Sequence, residues 1–162
     1  MFGARRYLRA MTEAVTAARP PDLPPFDEIV ENFSFLDDWE DRYRYLIELG
    51  RAMGEFPESD RTPANKVQGC ASQVWVTTRT AAGNGAPVLL LRGDSDALIV
   101  RGLVALLVSL LSGRAPADVS AMDVQGALRG LGLDQHLTPQ RSNGLASMIK
   151  RVQAEAAALG RA

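Results

Sequence analysis

The chain has one cysteine, Cys70, and one histidine, His136. A single thiol cannot close an intramolecular disulfide, which excludes a disulfide-stapled secreted fold and favours a reducing cytoplasm. Nor can one cysteine and one histidine supply the roughly four Cys/His ligands of a structural zinc site. An iron–sulfur cluster held by this chain alone is excluded on the same ground. Long apolar runs are also missing. The most apolar stretch, Leu103 to Leu111, falls well short of the ~20 residues of a membrane span. No apolar segment follows the arginines of the first ten residues, so no secretory signal is read there. The formal net charge is only −1, which points to neither nucleic acid nor an anionic membrane as the main partner. Phosphate loops, dinucleotide-binding glycine patterns, His-Glu-x-x-His and Gly-x-Ser-x-Gly are all absent.

What is present is ordinary globular composition at the length of one domain. Residues 1–25 read as a basic extension, with Arg5, Arg6, Arg9 and Arg19, followed by the proline-rich linker Pro20–Pro25. A short basic helix is the first reading of that extension, and an organelle transit peptide the second. The main domain is placed at 26–162. Phe26, Ile29, Val30 and Phe33 recur at helical spacing, predicting a helix over 27–36. Asp38 is positioned to cap the next helix, whose Tyr43, Leu46, Ile47 and Met53 share a face and which Gly54 and Pro57 end. The period then changes. Ser72–Thr80 is rich in β-branched and aromatic residues and reads as a strand, Gly83-Asn84-Gly85 as a turn, and Val88–Leu91 as a second strand ended by Gly93. Asp94-Ser95-Asp96 offers caps for a nearly all-apolar, hence buried, helix over 97–112. Gly102 inside that helix predicts close packing against the sheet. Short helices are expected at 117–121 and 124–131. Thr138-Pro139 starts a last helix whose buried stripe is Leu145, Met148, Ile149, Val152 and Ala156. The order predicts an α+β fold, a small antiparallel hairpin covered by several helices.

Cys70 stands between Gln68-Gly69 and Ala71-Ser72-Gln73, at the junction of a loop and a strand. A free cysteine is often a small buried hydrophobe. The polar flanks here speak against that, and loops on a rigid scaffold present reactive groups. Asp94-Ser95-Asp96 is accounted for by capping alone. His136 reads first as a satisfied loop histidine, and as the partner of a Cys70–His136 dyad second. Arg141 lies near a helix N-terminus, where a cation is misplaced, which suggests another use for it, on a partner's acid or on the Cys70 thiolate.

Four ordered blocks resemble the SufE family, which includes CsdE. They are Trp39–Gly50; Gln68-Gly69-Cys70 with Ser72-Gln73-Val74-Trp75; Gly93-Asp94-Ser95-Asp96 running into Ile99–Leu103; and Gln135–Pro139 with Arg141-Ser142. The match spans about 26–160. The resemblance implies a fold related to the iron–sulfur scaffold proteins. It also implies a carrier that takes persulfide sulfur from a PLP-dependent cysteine desulfurase of the SufS or CsdA type, stimulates that enzyme, and passes the sulfur toward cluster assembly on a scaffold such as a SufBCD-type complex. The family cysteine falls on Cys70. Asp96 and Arg141 occupy positions the family associates with the cysteine loop and the desulfurase contact, and Gln73 and His136 complete the candidates for loop or partner support. No cofactor or metal is expected on this chain, since the PLP stays with the partner. Nucleic acid and membrane are not expected as partners, and homodimerisation is left open. Ala71, where many relatives carry a polar residue, and the basic extension depart from the family pattern.

The chemistry needs a Cys70 thiolate attacking the outer sulfur of the donor persulfide. Gly69 is the expected hinge, tucking Cys70 under apolar cover near Val67 and Trp75 and releasing it on docking. The alternatives are a regulator that binds a desulfurase without carrying sulfur and, more remotely, a one-cysteine thiol peroxidase, for which no thioredoxin-like pattern is present.

Overall fold

The computed structural model describes residues 18–82 and 85–161. The basic helix expected before residue 18 and the Gly83-Asn84 part of the hairpin turn lie outside the described residues. Among those described, six helices and one hairpin make an α+β fold.

Helix α1 (Phe26–Phe35) buries Ile29 and Phe33, with Asp27 and Glu28 in its first turn, while Val30 stays 40% exposed. Helix α2 (Trp39–Ala52) begins at Asp38, whose carboxylate accepts the amide of Glu40. It is followed by Gly54 at φ +78°, a left-handed conformation that glycine adopts without steric cost. Strands β1 (Val74–Ala81) and β2 (Val88–Ser95) pair antiparallel in one continuous register, from Val74 opposite Ser95 to Ala81 opposite Val88. Val74, Val76, Leu89 and Leu91 form the covered face.

Helix α3 (Leu98–Leu111) is the centre of the core, with Gly102 to Leu111 buried without interruption. Three sequence expectations are corrected around it. Gly93 does not end β2. It sits inside the strand opposite Val76, where a Cβ would stand 2.6 Å from Val104 Cγ1, so it is the point at which α3 presses on the sheet. Gly102 does not face the sheet. A Cβ there would collide with the Leu46 backbone, and one on Gly50 would meet Gly102 N at 3.1 Å, so the paired glycines let α2 and α3 approach closely. Asp94 is not a cap. It is 4% exposed and lies between two arginines, Arg61 at 2.5 Å and Arg101 at 3.2 Å, the latter contact too poorly aimed to be a hydrogen bond. Ala97 precedes α3, with its amide on Ser95 Oγ.

Helices α4 (Pro116–Ala121) and α5 (Val124–Arg129) are short. Helix α6 (Pro139–Gly160) starts on Thr138, which accepts the Arg141 amide, and buries the expected stripe together with Gly144. The proline-rich segment before α1 packs on the core. Ala18 and Leu23 are buried. The Ala18 carbonyl accepts from Ser112 Oγ and Arg92, and the Pro24 carbonyl accepts from Ser109 Oγ. No helix among the described residues is long and apolar enough to cross a membrane.

Candidate functional site

The loop carrying Cys70 leaves one limb at Val67 and rejoins the sheet at Val74. Its limbs touch where the Val67 amide donates to the Val74 carbonyl at 2.8 Å and Lys66 bridges to Trp75. Gly69 holds φ +86°, and a Cβ there would stand 2.7 Å from Ser147 Oγ. The turn that aims Cys70 at α6 therefore requires glycine twice over, for its backbone and for its lack of side chain.

Cys70 itself is half-buried. Its thiol lies 3.5 Å from the Gly144 carbonyl, a weak sulfur hydrogen bond. Gly144 brings the α6 backbone beside the sulfur, and a Cβ built there would meet Cys70 only at ordinary contact distance, 3.6 Å. Around the sulfur opens a cavity of about 240 Å³. Ala71 and Ser72 of the loop, Val100 of α3, and Thr138, Gln140, Arg141, Gly144 and Met148 at the start of α6 line it. Burial pushes the Cys70 thiol above its ordinary pKa. In this arrangement the sulfur is sheltered, and its burial opposes ionisation.

The other candidates divide. Asp96 and Gln73 meet. The Asp96 carboxylate accepts the Gln73 amide at 3.0 Å, and the Asp96 amide returns a bond to the Gln73 carbonyl at 3.3 Å. This reciprocal pair pins the outgoing end of the cysteine loop to the junction of β2 and α3, and Gln73 contributes through its backbone. Arg141 reaches the cavity as a lining residue. Among the described residues its guanidinium enters no ion pair, which leaves a cation among the residues that line the sulfur site. His136 faces elsewhere. Its ring stacks on Trp39 with centroids 3.8 Å apart, its carbonyl accepts the Tyr43 hydroxyl, and no hydrogen bond joins it to the sulfur. The geometry thus holds no Cys70–His136 dyad, and the histidine has partners of its own.

Sequence reasoning read Met148 only as part of the buried stripe of the last helix and assigned none of Gly144, Met148 and Val100 to the sulfur site. The available signal was Gly144 itself, a costly residue in the first turns of a helix. Among the described residues no three of His, Cys, Asp and Glu gather where they could hold a metal ion. The arrangement offers one half-buried thiol sulfur on a loop that turns at a left-handed glycine.

A family model described as "SufE: Fe-S metabolism associated domain" matches residues 27–156. An uncharacterized SufE-like protein of Rhizobium etli is 52% identical over 134 residues, covering 83% of this chain and 90% of that protein. A second such protein, from Rhizobium meliloti, is 50% identical over 134 residues, covering 83% and 96%. Among solved structures, that of a hypothetical protein from Thermus thermophilus superposes with a TM-score of 0.60 at 25% identity, covering 85% of this chain and 95% of that one.

Proposed function

The chain belongs to the SufE family, whose domain is associated with iron–sulfur metabolism, and from that premise we propose that it is a carrier of persulfide sulfur. The sulfur comes from a PLP-dependent cysteine desulfurase of the SufS or CsdA type, rests on Cys70, and goes to an iron–sulfur scaffold such as a SufBCD-type complex. The observation that carries the reading is the setting of Cys70: a lone thiol, half-buried in a cavity, retained there by one weak bond to Gly144 and borne on a loop that turns at Gly69.

The step balances without an external oxidant or reductant. Cys70 loses its proton to solvent and attacks the outer sulfur of the donor persulfide. A new S–S bond forms on Cys70 as the donor S–S bond breaks, and the donor cysteine leaves as a thiolate. The sulfane sulfur keeps its oxidation level. With no second cysteine in the chain, no resolving thiol is at hand to expel that sulfur as sulfide. Such a transfer asks nothing of a cofactor on this chain, the PLP chemistry being the partner's. Arg141, which lines the cavity, would attract an anionic donor persulfide or a partner's carboxylate.

The test is direct. After incubation with a SufS-type desulfurase and cysteine, the peptide containing Cys70 should gain the mass of one sulfur, and desulfurase turnover should rise. Cys70→Ser should abolish both. Stimulation that survives Cys70→Ser would replace this reading with that of a regulator that carries no sulfur.

A further inference from the structure

The Cys70 loop is closed at its neck by more than its own two limbs. Arg151, two turns beyond Gly144 on α6, donates from Nη1 to the Lys66 carbonyl at 3.1 Å and from Nη2 to the Ala64 carbonyl at 2.6 Å. Its Nε donates to Glu155 Oε1 at 2.7 Å, and Glu155 Oε2 accepts the Thr78 hydroxyl, also at 2.7 Å. The limb entering the loop and the strand leaving it are therefore tied to one pair of side chains. The same helix supplies Gly144 and Arg141 to the sulfur cavity. A planar guanidinium presents its donors in a fixed fork, so one arginine can hold two carbonyls and a carboxylate at once. Both side chains are only 28% exposed, where such bonds are screened less than at the open surface.

We propose that Arg151 and Glu155 are positioning residues that fix the neck of the Cys70 loop on α6 and thereby set how far the sulfur can travel to a donor. The functional meaning rests on the sulfur-carrier reading, although the geometry does not. With the neck held at residues 64–67 and Gln73 pinned by Asp96, only the segment between Val67 and Gln73 rearranges. Cys70 is three residues from Val67, and an extended chain spans roughly 3.3–3.6 Å per residue, so its Cα stays within about 10 Å of the neck. That is a short arm. Release of the neck lengthens the arm but multiplies its orientations, and productive attack demands a narrow set of them.

The test compares Arg151→Met, Thr78→Val and Val152→Ala with the parent chain. Each is read by the alkylation rate of Cys70 with iodoacetamide and by amide exchange at residues 64–67. Arg151→Met should alkylate roughly fivefold faster, the equivalent of about one lost hydrogen bond, with faster exchange at the neck. Thr78→Val, which cuts only the tie to β1, should show a smaller increase in the same direction, and it serves if Arg151→Met does not fold. Val152→Ala removes buried volume from the same helix while leaving every hydrogen bond of the neck in place, and it should leave alkylation unchanged. Wild-type alkylation in both neck variants, or an equal rise in Val152→Ala, would overturn the proposal. In desulfurase-coupled transfer, Arg151→Met should lower kcat while KM stays within roughly twofold. If the parent chain accepts no sulfur at all, the carrier reading fails, while alkylation and exchange still decide the role of the neck.

Discussion

A thiol that attacks a persulfide must first lose its proton, and the shelter around Cys70 opposes that loss. Burial is what raises its pKa in the tucked loop. The sign follows from linkage. The neutral thiol favours the tucked loop at pH values below the pKa of an exposed cysteine, and that preference is lost as pH rises through the raised value. On the carrier proposal, protection and reactivity belong to two loop positions. The alkylation rate of Cys70, followed against pH, should inflect at higher pH in the folded chain than in an unstructured peptide of the same sequence. Coincident profiles would contradict the shelter. Gly69 gives a second handle on the same equilibrium. Gly69→Ala places a side chain at φ +86° and within 2.7 Å of Ser147 Oγ. A left-handed residue costs about 1–2 kcal/mol, which should raise Cys70 alkylation roughly five- to thirtyfold. The thermal midpoint should barely move, because the loop contributes one weak bond at its tip.

At the scale of elements, what the sequence revealed depended on how far away each residue's partner was. Hydrophobic periodicity located α1, α2 and α6, a nearly all-apolar run located α3, and alternation located β1, because those signals are complete within a few residues. Gly93 and Asp94 were misread for the opposite reason. Locally they look like a strand breaker and a helix cap. Their actual partners are Val104 on α3 and Arg61, 33 positions away. At the site, the polar flanks of Cys70 were legible, whereas His136 was ambiguous until its stack on Trp39 was seen. Gly102 was legible as a close contact but not as to which element it met. Its contact with the Leu46 backbone leaves no room for even a methyl group. Gly102→Ala should therefore push α2 from α3 at a cost of about 1–3 kcal/mol, as overpacked cores do. Calorimetry should show a midpoint lowered by roughly 3–10 °C. An unchanged midpoint would mean that the two helices separate freely.

For the molecule as a whole, the question is where the folded unit begins. Composition places a linker at Pro20–Pro25, and the family match starts at residue 27. The packing reaches further back. Leu23 is 1% exposed, the Pro24 carbonyl accepts from Ser109 on α3, and the Ala18 carbonyl accepts from Ser112, the C-cap of α3, and from Arg92 on β2. Arg19 closes the turn by donating to the Leu23 carbonyl. Prolines suit this role because their fixed φ reduces the entropy lost on docking, and only carbonyls are needed from them. The segment lies across the end of α3, on elements other than those that line the Cys70 cavity, apart from α3 itself at Val100. Stability and sulfur chemistry should then separate. A chain beginning at residue 26 loses the burial of a leucine, about 1.5–3 kcal/mol, and three polar contacts that water largely replaces. Its unfolding free energy should fall by roughly 2–4 kcal/mol, or about 5–15 °C in midpoint, with Leu23→Ala in the full chain accounting for most of that. Alkylation of Cys70 well below the midpoint should match the full chain, because its neck and its cavity are untouched. A truncated chain of full stability would place the segment outside the folded unit. One with altered Cys70 reactivity would mean that α3 transmits the docking of this segment to the sulfur site through Val100.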